Sequence, residues 1–468
     1  MHDRGCIFFD ITMLALRVGH RTPTGIGRVE LAYARYLLEN HRHSVRFLVA
    51  LPRMVQIIPT RVAERYIAAT EIAWKYQDKN SAAPQLAALL GCNASVFHGS
   101  AVEERRALSR RADRIICAAN VLMRAALRRI RPRGLSQFSQ SNHRSVYVNV
   151  SGSTLNNPWL TKWLKRSPSV AALFLVHDII PITHPEFVRP SAPKRHARYL
   201  HKLSECADFL ITNSDFTRDA LSGFFTQAGL RLPPTQSMPL GIDAVFSDRQ
   251  LKLPATKPYF VFISTIEPRK NHLMLLQVWR RLIERHGEDA PKLVLVGARG
   301  WENENILDVI DRGDKLKSHV LECRDIGDEV LAALISNARA TLLPSHVEGY
   351  GLPLAESLAL GTPVICSNLA PYSEIAGDIP EYIDPLAGRG WARAIMDYAA
   401  DESPKRSLQL ARLKGLISRR WADHFAHVER ALASLGFVGE LTSEHVAAQS
   451  ATFFSQAPED EHLNIAAE

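Results

Sequence analysis

The stretch Pro344-Ser-His-Val-Glu348-Gly349-Tyr350-Gly351-Leu352-Pro-Leu-Ala-Glu356-Ser-Leu-Ala-Leu-Gly361-Thr-Pro363 decides how the 468-residue chain is read. Just before it, Ala340 to Leu343 has the composition of a short buried strand. After it, the apolar spacing predicts a helix over 352–360, with Gly361 where a C-cap glycine belongs. Gly349 and Gly351 in the connecting loop let backbone amides approach a ligand closely. A helix start aimed at the same place offers unsatisfied N–H groups and a positive dipole end, which suits a phosphate. Glu348 lies in the loop, and Glu356 sits one turn into an otherwise apolar helix, where a carboxylate is costly unless something pairs with it.

This pattern resembles the E-x7-E signature of retaining, GT-B-fold glycosyltransferases of the glycosyltransferase family 4 type. The resemblance implies an α/β protein of two Rossmann-like doubly wound domains facing each other across a cleft. It places an acceptor-side domain at 1–240, with a basic helical insertion at 60–134. A nucleotide-sugar-binding domain follows at 241–436, then an acidic tail at 437–468 expected to be disordered.

Length and composition agree with that size. A chain this long accommodates two or three domains, and 46% hydrophobic with 22% charged residues is ordinary for a globular protein. The six cysteines are scattered without a C-x-x-C pair, which argues for a reducing compartment and against structural zinc. The longest apolar run, Val170 to Val176, is far too short to span a membrane. Asp10 interrupts the apolar start where a signal peptide needs more length, so a cytoplasmic protein is expected. The net charge of +9 is uneven: ten arginines face three acids between 101 and 134, and six acids with no Lys or Arg lie beyond 439. A charge excess confined to one region argues against nucleic acid as a partner. One helical face there is basic, and an anionic membrane surface touching 105–133 is the expected partner, making the protein peripheral on the inner face of the cell membrane.

Four further segments carry the resemblance. The turn Thr24-Gly25-Ile-Gly27-Arg28 follows a first strand at Ile7 to Phe9 and precedes a helical pattern from Val29. It lacks the third glycine of a dinucleotide fingerprint, and no acid ends the next strand, which excludes a nicotinamide cofactor. It is similar to the family's glycine-rich turn near the donor. His177-Asp178-Ile-Ile-Pro ends the buried strand Val170 to Val176 and resembles the family's cleft histidine segment. Pro239-Leu-Gly-Ile-Asp243 resembles the interdomain connection. Glu267-Pro-Arg269-Lys270-Asn271, after a strand at Tyr259 to Ser264, resembles the family's phosphate-binding segment; a guanidinium fork and an ammonium suit a diphosphate.

By this resemblance Glu348, His177, Lys270 and Arg269 are the expected catalytic residues. Gly25, Gly27, Gly349, Tyr350, Gly351, Leu352 and Glu356 are expected to bind the donor, with Glu348 on the reacting face of the sugar and Glu356 on the ribose hydroxyls. No D-x-D motif occurs, so no metal and no cofactor is expected beyond the nucleotide diphosphate sugar, for which GDP-mannose is the expected identity. The implied reaction is retaining transfer of a hexose to a saccharide or polyprenyl-linked acceptor in bacterial surface polysaccharide synthesis. A non-catalytic scaffold subunit and a nucleotide-sugar epimerase are alternatives sharing the fold. Epimerases and phosphorylases do not reproduce E-P-R-K-N and E-x7-E together.

Overall fold

The computed structural model describes residues 5–17, 23–51, 54–75, 83–97, 115, 119, 144–152, 154–247, 253 and 257–438. The arginine-rich 105–133 and the acidic tail lie almost wholly outside these residues.

Two sheets form the two lobes. The first runs β3-β2-β1-β4-β5-β6-β7, with β1 at Ile7–Asp10, β2 at Val45–Leu51, β3 at Met54–Ile58, β4 at Ser145–Asn149, β5 at Val170–Val176, β6 at Phe209–Thr212 and β7 at Thr235–Ser237. The second runs β10-β9-β8-β11-β12-β13, with β8 at Tyr259–Ile263, β9 at Lys292–Val296, β10 at Val320–Cys323, β11 at Ala340–Leu343, β12 at Val364–Ser367 and β13 at Glu381–Ile383. All neighbours pair in parallel except β2 with β3. The strand order reverses between β1 and β4 in one sheet and between β8 and β11 in the other, and such switch points are where open α/β sheets bind ligands.

Alternation along the strands explains the layers. Ile7 and Phe9 bury against the helix Gly25–Asn40, while Phe8 turns to the other face and meets the Trp163 ring edge-on at 5.6 Å. All seven residues of β5 are buried, as a central parallel strand covered on both faces requires. At the end of β1, Asp10 accepts from the Thr12 amide at 2.9 Å, Tyr147 Oη at 2.6 Å, Thr154 Oγ1 at 2.8 Å and Asn149 Nδ2 at 3.0 Å. That carboxylate is satisfied and knits β1 to β4.

Two segments pack on the lobe opposite to the one they leave by chain order. Ala83–Leu90 buries Leu86 and Leu90 with Tyr259 and Val261 in the second lobe's core. The helix Trp421–Ser434 lays Trp421, Phe425 and Val428 on Tyr33 and Phe9 in the first. His424 on that helix reads as a surface residue from sequence, yet it is only 2% exposed. Tyr33 Oη donates to its Nε2 at 2.7 Å, and its Nδ1 donates to the Pro239 carbonyl at 3.0 Å. Burial holds this imidazole neutral, its pKa down at about 4. A helix read alone does not reveal that a second lobe will cover its polar side. Among the described residues no helix is long and apolar enough to cross a membrane.

Candidate active site

The loops after β8 and β11 are laced together. Asn271 adopts a left-handed conformation (φ 63°), which Asn tolerates, and its Nδ2 donates to the Pro344 carbonyl at 3.1 Å and the Pro385 carbonyl at 2.9 Å. The His346 amide donates to the Arg269 carbonyl at 2.8 Å. This lacing sets both cations against Glu348. Lys270 Nζ donates to Oε1 at 2.5 Å, and Arg269 Nη1 donates to Oε2 at 2.6 Å. Arg269 also spans Glu267 at 2.8 Å and the Val347 carbonyl at 3.0 Å. Glu348 is 8% exposed. Burial pushes its pKa up, but Arg269 and Lys270 outweigh it and hold the carboxyl down at about 2. Burial and the neighbouring guanidinium lower the Lys270 pKa, with Glu348 opposing them.

The first lobe closes on this centre. His177 Nε2 donates to the Val150 carbonyl at 2.7 Å, which leaves Nδ1 as the acceptor nitrogen, and burial lowers its pKa. Gly349 meets the His177–Asp178 backbone so closely that a Cβ there would stand 2.7 Å from Asp178 Cβ and collide with the His177 carbonyl oxygen. The Gly349 carbonyl accepts from Ser214 Oγ at 2.7 Å and from Thr217 Oγ1 at 3.1 Å. The Phe187 ring stacks on His346 with centroids 5.2 Å apart. Gly25 opens its helix beside Leu352: a Cβ on Gly25 would lie 3.5 Å from Leu352 Cδ1. Thr24 Oγ1 caps the Gly27 amide at 3.2 Å, and a Cβ on Gly27 would come within 3.3 Å of the Trp74 ring. Two helix starts from opposite lobes therefore converge beside the Glu348 loop.

Tyr350 and Gly351 serve this loop from behind. Tyr350 Oη donates to the Leu240 carbonyl in the linker at 3.0 Å. Gly351 has φ 148°, and a Cβ there would strike the Tyr372 ring at 2.7 Å. Glu356 belongs to a second cluster. It is 5% exposed and burial pushes its pKa up to about 7, aided by Asp328 and Asp243 and opposed by Arg28. Arg28 crosses the lobes in a fork to Asp328 at 2.8 and 2.5 Å, reaches Asp243 at 3.6 Å and sits 5.3 Å from the Phe246 ring centroid. A cavity of about 170 Å³ opens beside it between Trp74, Asp243 and Asp328.

The structure brings the expected residues Glu348, Lys270, Arg269, His177, Gly349, Gly25 and Leu352 together, and adds Arg28, Asp243 and Asp328, to which sequence reading gives no role. Arg28 ends the T-G-I-G-R turn and Asp243 ends P-L-G-I-D, so both stood in quoted motifs; Asp328 carried only the common signal of an acid at a helix start. Among the described residues no group of three His, Cys, Asp or Glu could hold a metal ion.

Comparison with known proteins bears on this geometry. Residues 245–407 match the family model described as Glycosyl transferases group 1. The chain is 31% identical over 258 residues to the O-antigen chain mannosyltransferase B of Escherichia coli, covering 52% of this chain and 65% of that protein. It is 28% identical over 250 residues to the serotype-specific mannosyltransferase WbdA of the same organism, covering 50% and 30%, and 25% identical over 226 residues to the O-antigen chain mannosyltransferase RfbU of Salmonella typhimurium, covering 47% and 58%. The chain thus spans less than two thirds of each of these relatives. Among solved structures it resembles α,α-trehalose-phosphate synthases from Burkholderia multivorans (TM-score 0.53, 12% identity, 97% of this chain and 99% of that one) and Burkholderia vietnamiensis (TM-score 0.54, 13% identity, 94% and 99%). The chain has a GT-B fold of two parallel-sheet lobes, and residues 245–407, in the second lobe, are similar to the group 1 glycosyl transferase model.

Proposed function

We propose that this protein is a retaining, metal-independent glycosyltransferase that moves mannose from GDP-mannose to a saccharide or polyprenyl-linked saccharide in bacterial surface polysaccharide synthesis. One observation carries the reading: Arg269 and Lys270 converge on buried Glu348 at the switch point of the second sheet, facing His177 and Asp178 of the first. In the proposed reaction the two cations, with the amides at the starts of the helices Gly25–Asn40 and Leu352–Ala359, receive the charge that develops on the departing diphosphate. Fixed donors of this kind are usually the largest catalytic contribution. Glu348 faces the sugar, His177 Nδ1 accepts from a sugar hydroxyl, and the buried Glu356 carboxyl meets the ribose hydroxyls. The mannose assignment rests on the E. coli and Salmonella relatives, whose names describe mannosyl transfer to O-antigen chains. The arginines between 105 and 133 would hold the protein on the anionic inner face of the cell membrane.

The test is a transfer assay over a panel of nucleotide diphosphate sugars, with and without EDTA. Release of GDP from GDP-mannose that survives EDTA supports the reading. Turnover of another sugar nucleotide would correct the donor, and strict dependence on Mg²⁺ would overturn the metal-free mechanism. Sedimentation with anionic vesicles, compared with a variant whose arginines in 105–133 are replaced by glutamate, tests the membrane contact.

A further inference from the structure

The two helix starts that converge on the Glu348 loop carry opposite charges one turn further in. Gly25 meets Leu352 at the starts, and behind them stand Arg28 on the helix Gly25–Asn40 and Glu356 on the helix Leu352–Ala359. A cation in a first turn faces the positive end of its own helix dipole, so the helix that carries Arg28 disfavours it. Its partners lie on the other lobe and the linker. The guanidinium forks onto Asp328, which opens the helix Asp328–Asn337, and reaches Asp243, whose Oδ1 accepts from Trp421 Nε1 at 2.8 Å. The Arg28 and Asp328 side chains keep 12% and 14% exposure and line the cavity of about 170 Å³ beside them, so the cluster is open to a ligand. The charges acting on the Glu356 carboxyl are Arg28, Asp328 and Asp243, and Arg28 is the cation among them.

We propose that Arg28 is a positioning residue: it fastens the first lobe to the second through Asp328 and Asp243 and presents Glu356 to the ribose of the donor nucleotide. This deepens the glycosyltransferase reading, and the role of Glu356 rests on it. Charge balance is the first argument. One guanidinium serves three carboxylates here. A cluster on the second lobe away from the cleft shows matched charges instead, with Arg299 and Arg324 facing Glu322 and Asp311. A surplus carboxylate in a desolvated interface is costly unless hydrogen-bond donors reach it, and two ribose hydroxyls are such donors. The placement of the charges on different lobes is the second argument. Glu356 belongs to the second lobe and Arg28 to the first, so the cation acts on the carboxylate only when the lobes are closed. Ligand binding at Glu356 and closure are then coupled through Arg28, each favouring the other. The charge on Arg28 is secure: burial opposes it, but Asp328, Glu356 and Asp243 outweigh burial.

The experiment measures binding of GDP, UDP and ADP by titration calorimetry to the wild-type chain, Arg28→Gln, Arg28→Lys, Glu356→Gln and the double variant Arg28→Gln/Glu356→Gln. For the nucleotide that binds, Arg28→Gln should weaken affinity about tenfold, and Arg28→Lys should recover part of that loss. In the Glu356→Gln background the same change at Arg28 should cost almost nothing. A merely structural arginine gives losses that add in the double variant; that result, or unchanged affinity in Arg28→Gln, overturns the positioning role. Small-angle X-ray scattering without ligand reads the fastening separately. Arg28→Gln and Asp328→Asn should both enlarge the radius of gyration, and an unchanged radius in either overturns the fastening. Should Arg28→Gln fail to fold, Asp328→Asn, which frees the fork, takes its place in both measurements. A wild-type chain that binds none of the three nucleotides faults the donor reading, and scattering then decides the fastening by itself.

Discussion

Lys270 Nζ sits 2.5 Å from Glu348 Oε1 although 78 residues of chain separate them, and Arg269 takes the other carboxylate oxygen at 2.6 Å. Both cations come from a single turn of backbone after β8, so one loop neutralises the carboxylate presented by another. A donor diphosphate arriving here meets charges already in place.

Replacing Lys270 by alanine removes one of the two cations proposed to stabilise the leaving group. The expected loss in kcat/KM on the nucleotide sugar is about 3 kcal/mol, roughly a hundredfold or more. Steady-state kinetics decide it; near-wild-type turnover would remove Lys270 from the mechanism.

Acid should dissolve this cluster in a defined window. Arg269 and Lys270 hold the Glu348 carboxyl at about 2, against an ordinary 4.5. A depressed acid contributes stability that is fully present above 4.5 and is lost as the pH falls toward 2, up to about 3 kcal/mol in all. Urea unfolding from pH 5 to pH 3 should therefore show a shallower acid loss in Glu348→Gln than in the wild type.

Glu356 carries the opposite sign. Burial raises its carboxyl to about 7, so the charged form is penalised, and the penalty grows as the pH rises from 4.5 through 7. Glu356→Gln should match the wild type near pH 4.5 and exceed it in stability by up to about 3 kcal/mol at pH 8. Equal stability at both pH values would mean that the carboxylate is better solvated than its burial indicates.

Arg28 is the cation of the other interlobe cluster, with Asp328, Asp243 and Glu356 around it. Arg28→Ala leaves buried acids facing one another and should cost about 3–5 kcal/mol of unfolding free energy. Asp328→Asn, which keeps a hydrogen-bond acceptor for the guanidinium, should cost less. Chemical denaturation of both variants checks the order.

Gly349→Ala should separate activity from stability. The added methyl meets Asp178 Cβ at 2.7 Å and the His177 carbonyl, so it props the lobes apart without disturbing either core. Misplacement on this scale lowers kcat/KM by about ten- to a hundredfold. The melting temperature should stay within a few degrees of wild type, and differential scanning fluorimetry beside the kinetics tests the split.

Much of the architecture could be read along the chain. The runs Val170–Val176 and Ala340–Leu343 are strands at the residues their apolar composition predicts, and the strands expected at Ile7 to Phe9 and Tyr259 to Ser264 differ by one residue at their ends. The helix expected from Val29 begins four residues earlier, because Thr24 caps it and the glycines that read as a turn form its first residues. Two short strands, β7 and β13, had no apolar run to announce them; both lie at sheet edges, and β7 reads Thr235-Gln-Ser237.

Short stretches of sequence were enough to carry the family resemblance that singles out Glu348, Lys270, Arg269 and His177, because strand, turn and helix signals are short-range and these side chains lie in loops that follow strands. Tertiary structure alone decided which lobe each surface belongs to: that Trp421–Ser434 packs on the first lobe, that Arg28 finds Asp328 300 residues away, and that His424 is buried. Such pairings depend on how two separately folded sheets meet, and their cost or gain appears only when water is excluded between them. A sequence lists the charges; only the closed cleft determines which are desolvated together.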